Sequence, residues 1–491
     1  MRLKSCRWLS TFKPYRVLFP LMVEPFHRVC TNCCTEFGLN GFPLKCSRCG
    51  GTLEYALDPE YLKNVTFSDL LTFWKYRPVM PSVPRPVSLG EGGTPLWRAD
   101  RLGKHLRLKH LTLKDETRNP TNSFKDRSAS LLISDATGKG FDSIISASSG
   151  NHGAALSAYS AKEDIDCHVI VPNDLDLGKL AQMMVYNADV TESGGPIEKA
   201  INLAMGLEER RGWYQATTEL NPLSIEALKT ISYEISEQGE MPDWMVVAMG
   251  SGVTIHAVWK GFHELELMGR IEEKPRLIGV QASGCSPITD AFTEKRELLG
   301  ESSTLDTIAL AIKNYKPRFG TPALMAIKES DGLAVAVSDD EMLRFGKEIA
   351  RSEGIFPEPA SAATVACLPP LLNQGIITKS ESVVCLITSS GLKTDDILTS
   401  LNKRHRSLGL NAKIATKERL LLEISKNDSY GYALWDALGR NITLGAVYQH
   451  ISDLETGGLV TSYRSGRRRY LSITEKGLKV LSAMDDLRTL L

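Results

Sequence analysis

Twice in this chain a short apolar run leads into a turn of glycine and small hydroxyl residues and then into a helical stretch. Phe141 to Ala147 passes through Ser148-Ser149-Gly150-Asn151-His152-Gly153 into Ala154 to Ala161. Met245 to Met249 passes through Gly250-Ser251-Gly252-Val253-Thr254 into Ile255 to Leu267. Short apolar runs bounded by turn signals read as buried strands. Together with Cys167 to Val171, Arg276 to Gln281 and Val383 to Ile387 they alternate with helical segments, which predicts an α/β core, a mainly parallel sheet flanked by helices. Such turns aim backbone amides at the positive end of a helix, a setting for a carboxylate or phosphate, and glycine lets the main chain come close to it. Each turn alone also reads as no more than a tight connection.

The chemistry gathers on one lysine. Residues 119 to 127 read Asn-Pro-Thr-Asn-Ser-Phe-Lys-Asp-Arg, placing Lys125 in a polar, turn-forming setting between a strand-like and a helical stretch. A lysine amine forms a Schiff base with a carbonyl cofactor such as pyridoxal phosphate only when it is positioned and partly deprotonated. Most lysines are solvated surface charges, and the surrounding motif is what argues against that reading here.

The segment from about Pro86 to Leu401 resembles the fold type II pyridoxal-phosphate enzymes (tryptophan synthase β-like), and within them the threonine synthases. The resemblance runs through SLGEGGTPL, LKDE, NPTNSFKDR, SSGNHGAALSAYSA, the MGSGVT loop, EGIFPEPASAA and ITSSGLKT. It implies that Lys125 carries the cofactor, that Asn151 holds its phenolic oxygen, and that Gly250, Ser251, Gly252, Val253 and Thr254 cradle its phosphate. Thr388 would face the pyridine nitrogen, and a neutral hydroxyl there favours elimination and replacement chemistry. The implied reaction converts O-phosphohomoserine and water to threonine and phosphate, with Lys125 moving protons. Residues from about 120 to 230 would form a smaller domain closing over substrate.

Several positions depart from the family's pattern. His152 stands where a hydroxyl residue is usual, Glu219 where serine is, and Ser224 where an arginine serves the phosphate subsite. Loss of a bidentate arginine with gain of a carboxylate disfavours a doubly charged leaving group, and a protonated His152 would compensate. Val253 replaces a glycine and would be strained at positive φ. Asn122 replaces a frequent glycine. Each change also reads as lineage drift.

Cys30-x2-Cys33 and Cys46-x2-Cys49, twelve residues apart and followed by Gly50-Gly51, have the spacing of two knuckles of a tetrahedral thiolate site for structural zinc. Cys34 competes with Cys33 as a ligand, and a disulfide pair is the alternative. A zinc ribbon also precedes the catalytic core in a number of threonine synthase homologues. At the other end, residues 411–491 read as three helices and a basic β hairpin, a winged helix. The stretch TLGAVYQHISDLETGGLVTSYRSGRRRYLSITEKG resembles the PadR-like winged-helix regulators, which would put Ala446, Val447, Tyr448, Gln449 and His450 on a recognition helix and Arg467, Arg468 and Arg469 on the wing. Twelve lysines and arginines against nine acids from residue 411 onward make this unit only mildly basic. DNA contact would rest on a focused patch, and such domains also serve as protein interfaces.

The expected organisation is therefore an N-terminal extension over 1–27, a zinc-ribbon-like segment over 28–60, a pyridoxal-phosphate core of two α/β subdomains over 61–402, and the winged helix. Residues 1–27 interleave basic and aromatic residues, as a targeting segment would, unless translation begins at Met22. With 58 basic and 58 acidic residues the chain has no net charge, which argues against a wholesale nucleic-acid binder. No run approaches the ~20 apolar residues of a membrane span. A cytoplasmic homodimer acting on an amino-acid substrate is expected. Two alternatives stand beside threonine synthase: a related enzyme, cysteate synthase-like or a serine/threonine dehydratase, and a regulator that keeps the pyridoxal core as a ligand sensor.

Overall fold

The computed structural model describes residues 25–39, 45–297, 299–302, 304–394, 410–439, 443–465 and 468–489. Met1, Met22, the charged run at 403–406 and Arg467 lie outside them. The chain parts into two compact units, 1–397 and 398–491.

In the first unit, β1 (Phe26–Cys30), β2 (Glu36–Phe37) and β3 (Leu53–Leu57) form an antiparallel sheet ordered β2-β1-β3. β4 (Leu96–Arg98) and β5 (His110–Asp115) then open a six-stranded sheet. The chain leaves it to build a four-stranded sheet from β6 (Ser143–Ala147), β7 (Asp166–Val171), β8 (Asp189–Glu192) and β9 (Tyr214–Gln215). It returns with β10 (Trp244–Ala248), β11 (Arg276–Ala282), β12 (Leu333–Val337) and β13 (Ser382–Ile387). The larger sheet runs β12-β11-β10-β13-β5-β4, parallel except for β4 against β5, and the smaller runs β8-β7-β6-β9, parallel throughout. Every residue of β6 and β10 is buried, as expected of parallel strands covered on both faces.

The helix Lys125–Gly138 is buried from Asp126 to Ala136 although its sequence is not apolar. Its polar side chains are matched instead. Arg127, fully buried, reaches Glu116 at 2.7 Å and Glu234 at 2.6 Å, and Lys114 of β5 reaches Glu234 at 2.6 Å. This cluster ties β5, the Lys125 helix and the helix Thr230–Gln238 into one body.

Asn122 lies in the left-handed region at φ 60°, so the position needs glycine or a residue such as asparagine that tolerates it. Its carbonyl accepts hydrogen bonds from the Ser390 amide and the Ser389 hydroxyl, both at 3.1 Å. Asn122→Val is expected to lower stability by about 1–2 kcal/mol, whereas Asn122→Gly should stay near wild type. The urea midpoints of the two variants check this.

β3 joins the cysteine-bearing sheet to the core. The buried carboxylate of Glu54 meets His256 at 2.9 Å, and Lys260 contacts the Tyr55 carbonyl and reaches Glu226 at 2.5 Å. His256 and Lys260 both lie on the helix Val253–Leu267.

In the second unit, the helix Leu410–Lys426 is followed by β14 (Ser429–Tyr430), the helices Gly431–Ala437 and Leu444–Thr456, the strands β15 (Val460–Ser465) and β16 (Arg468–Ile473), and the helix Glu475–Thr489. The sheet order is β14-β16-β15, antiparallel. Leu420, Leu434, Val447, Ile451 and Leu471 share its core. Val447 lies on the helix Leu444–Thr456 and Arg469 on β16, where the resemblance put the recognition helix and the wing, and both side chains are engaged within the unit. Val447 is buried, and Arg469 pairs with both carboxylate oxygens of Glu455 at 2.6 and 2.8 Å.

Candidate active site

The carboxyl ends of β6 and β10 and the segment after β13 converge on one cavity, the usual place for a ligand in an open α/β sheet. Its wall includes Lys125, Asn151, Gly250, Ser251, Gly252, Thr254 and Thr388. Residues far apart in sequence meet because the backbone before Lys125 is fastened to the chain beyond β13: the Phe124 amide donates to the Thr388 carbonyl at 2.9 Å.

Lys125 opens its helix, and its Nζ lies 3.5 Å from Thr218 Oγ1. Burial pushes the ammonium's pKa down to about 8, against the pull of the carboxylates of Glu219 and Glu358, because the uncharged amine is the form that suffers least from desolvation. Asn151 begins the helix Asn151–Glu163 after Gly150, whose φ of 131° favours glycine. Its Nδ2 donates to both oxygens of Glu358, at 3.2 and 2.9 Å, and its Oδ1 accepts from Ser389 Oγ at 3.2 Å. Thr388 Oγ1 lies 2.8 Å from Ser361 Oγ.

The glycine turn resolves the concern over Val253. The positive φ, 92°, falls on Gly252, while Val253 starts the helix with its side chain in the core. A Cβ on Gly252 would lie 2.5 Å from the Phe319 carbonyl oxygen. Gly252→Ala is therefore expected to distort the turn and weaken cofactor retention by about tenfold or more, read from the cofactor's visible absorbance during dialysis.

Two expectations for the anion subsite need correction. His152 lines the cavity, but it is no cation: burial and the nearby Lys125 ammonium push its pKa down to about 3, and its Nε2 sits 2.7 Å from the Ala216 carbonyl. The imidazole is therefore neutral, donating from Nε2 and leaving a buried Nδ1 without a partner. Ser224 is wholly buried on the helix Leu223–Leu228 and does not line the cavity. Glu219 does line it, as expected, and burial raises its carboxyl pKa.

Reading the sequence missed Glu358, Thr218, Lys313 and Asn314, which also line the cavity. Glu358 lay within the EGIFPEPASAA block, but nothing in that block signals that its carboxylate orients Asn151. Lys313 and Asn314 belong to an irregular segment without any motif.

The residues present fit pyridoxal phosphate. A partly deprotonated lysine, an oriented amide, a hydroxyl and a glycine turn at a helix N-terminus share one cavity, and the turn leaves no room for a Cβ at Gly252. A family model for pyridoxal-phosphate dependent enzymes matches residues 87–389. The chain belongs to that family. It is 37% identical over 405 residues to a threonine synthase of Methanocaldococcus jannaschii, an alignment covering 80% of this chain and 99% of that protein. It is also 37% identical over 375 residues to a threonine synthase of Methanosarcina acetivorans, covering 75% and 92%. Among solved structures, an L-serine ammonia-lyase from Rhizomucor miehei superposes with a TM-score of 0.56 at 20% identity, covering 65% of this chain and 100% of that one. The processed threonine deaminase isoform 2 of Solanum lycopersicum gives 0.54 at 18%, covering 70% and 98%. These two likenesses concern the fold of the family.

Apart from this cavity, Cys30, Cys33, Cys46 and Cys49 bring their Sγ atoms within 4.8 Å of one another. The pairs Cys30–Cys49 and Cys33–Cys46 stand 3.5 and 3.6 Å apart. A tetrahedron of sulfurs on ~2.3 Å metal bonds has edges of about 3.8 Å, so the four thiols suit a metal. Among the described residues, no helix is long and apolar enough to cross a membrane.

Proposed function

We propose that the chain is a threonine synthase, converting O-phosphohomoserine and water to threonine and phosphate with pyridoxal phosphate bound at Lys125. The observation that carries this reading is the meeting of Lys125, Asn151, Thr388 and the 250–254 turn in one cavity, in a chain that aligns with nearly the whole length of a threonine synthase. Pyridoxal phosphate supplies, when bound, an electron-withdrawing ring conjugated to the substrate's amino group. Asn151, its amide oriented by Glu358, holds the ring's phenolic oxygen, and the amides of residues 250–254 hold the phosphate. Thr388 offers a neutral hydroxyl to the ring nitrogen. Lys125, with a pKa of about 8, is suited to carry protons to and from the substrate's α and β carbons near neutral pH. Phosphate leaves from the γ carbon, and water adds at the β carbon. The deciding experiment gives purified, cofactor-loaded protein O-phosphohomoserine and follows phosphate and threonine together. Equal release of both is expected, and cofactor-dependent turnover of serine or threonine alone would replace this reading with a dehydratase.

Zinc at the four cysteines and a winged-helix fold for 411–491 belong to the same reading, as do a homodimer and a cytoplasmic setting. The site is filled by four protein thiolates, so the metal's role is structural. Chelation is expected to release one zinc per chain and lower the thermal midpoint. The second unit is supported as a winged helix by its element order and by Thr443 Oγ1 capping the helix Leu444–Thr456 at the Ala446 amide. A DNA role would draw on exposed Tyr448 and Gln449 and would show as retention on duplex DNA that collapses as salt rises.

A further inference from the structure

The position at which the resemblance implies a phosphate-binding arginine is Ser224, buried outside the active-site cavity, and His152 is neutral, so the charge that receives a phosphate must come from another residue. Among the cavity's lining residues the cationic side chains are Lys125 and Lys313. Lys125 is committed to the cofactor. We propose that Lys313 is the ammonium that receives the phosphate leaving group, and that Asp174 holds it in readiness; this rests on the threonine synthase reading.

Lys313 lies in a segment packed against the glycine turn, where a Cβ on Gly250 would stand 3.1 Å from both the Ala311 carbonyl oxygen and Ile312 Cα. Its Nζ reaches across to Asp174 at 2.5 Å, just beyond β7 of the smaller sheet. Lys313 and Asp174, with Ser149 and Ile197, also line an adjoining cavity, so Lys313 contributes to the walls of both. Beside it Asn314 also lines the active-site cavity; its buried, unpartnered Oδ1 is an acceptor that suits a water or a donor group and not the phosphate itself. The Lys313–Asp174 pair is partly exposed, 21% and 44%, and ion pairs of that kind are weak. A phosphate dianion carries more charge than the carboxylate and suits the compact charge of an ammonium. Phosphate therefore takes Lys313 from Asp174, and the two partners have opposite effects on its binding.

That opposition is the test. In the full-length, cofactor-loaded protein, inorganic phosphate binding is measured by calorimetry and KM for O-phosphohomoserine by threonine formation. Lys313→Gln is expected to weaken both by roughly 10- to 100-fold, Lys313→Arg to keep both within several-fold, and Asp174→Asn to tighten phosphate. Cofactor absorbance should not change in any of them. The proposal is overturned if Lys313→Gln binds phosphate within about twofold of wild type, or if Asp174→Asn weakens phosphate as Lys313→Gln does. Loss of cofactor from Lys313→Gln would overturn it too, by assigning the lysine to the cofactor's own phosphate. So would an equal loss of affinity for L-threonine, which has the α-carboxylate but no phosphate. If wild type forms no threonine yet binds phosphate through Lys313, the substrate reading fails and the subsite stands.

Discussion

Lys125→Ala is expected to lower turnover by about 10,000-fold or more and to remove the cofactor's imine absorbance, because the variant loses both the covalent anchor and the group that moves protons. The anion subsite should survive, since Lys313 is contributed by another segment; the variant should still bind inorganic phosphate. Turnover persisting in Lys125→Ala would defeat the mechanism outright. The wild-type lysine also predicts a pH dependence. An amine with the ordinary value of 10.5 is almost wholly protonated at pH 8, whereas one held at about 8 is half free there. Capture of pyridoxal phosphate by the apoprotein should therefore quicken as pH rises to about 8 and level off above it, as stopped-flow absorbance would show.

Arg127→Ala should have the largest effect on stability. Arg127 is shared between two buried carboxylates, Glu116 and Glu234. Its charge holds the pKa of both well below the ordinary carboxylate range despite their burial. Removing it leaves Lys114 alone to balance two buried negative charges, and breaking one partner out of such a cluster costs about 3–5 kcal/mol. A fall of that size in the free energy of unfolding by urea is expected. A change below about 1 kcal/mol would mean that water enters the cluster and solvates the carboxylates.

The parallel core was legible in the sequence because its buried strands are short, mostly apolar runs bounded by turns. Cys167 to Val171, Arg276 to Gln281 and Val383 to Ile387 lie within one residue at each end of the strands observed. The lysine and the asparagine were legible through the motifs that carry the family resemblance, and in the glycine turn local chain geometry adds its own demand, at Gly252. Asn122 shows how far this goes, since its left-handed backbone explains why a glycine position admits asparagine. What stayed hidden depends on partners distant in sequence. Nothing near His152 reveals that Ala216 and Lys125 keep it neutral. Nothing near Glu358 reveals that it orients Asn151. Ser224 looked like a site residue by alignment of motifs, yet its helix turns it into the interior. In the second unit the basic run of the hairpin read as a contact surface, while the fold directs Arg469 to Glu455.

The strand order of the larger sheet bears on how the protein is made. β5 and β10 do not touch; β13 separates them, and the turn before Lys125 hangs on Thr388, Ser389 and Ser390 just past β13. A chain emerging from the ribosome therefore exposes both strands, without their common neighbour, for as long as it takes to synthesise residues 249 to 390. Contacts so distant in sequence form late. The setting of Lys125 thus depends on residues just past β13 as well as on its own neighbourhood, so a nascent chain that lacks β13 is expected to lack the completed cavity and to capture no pyridoxal phosphate.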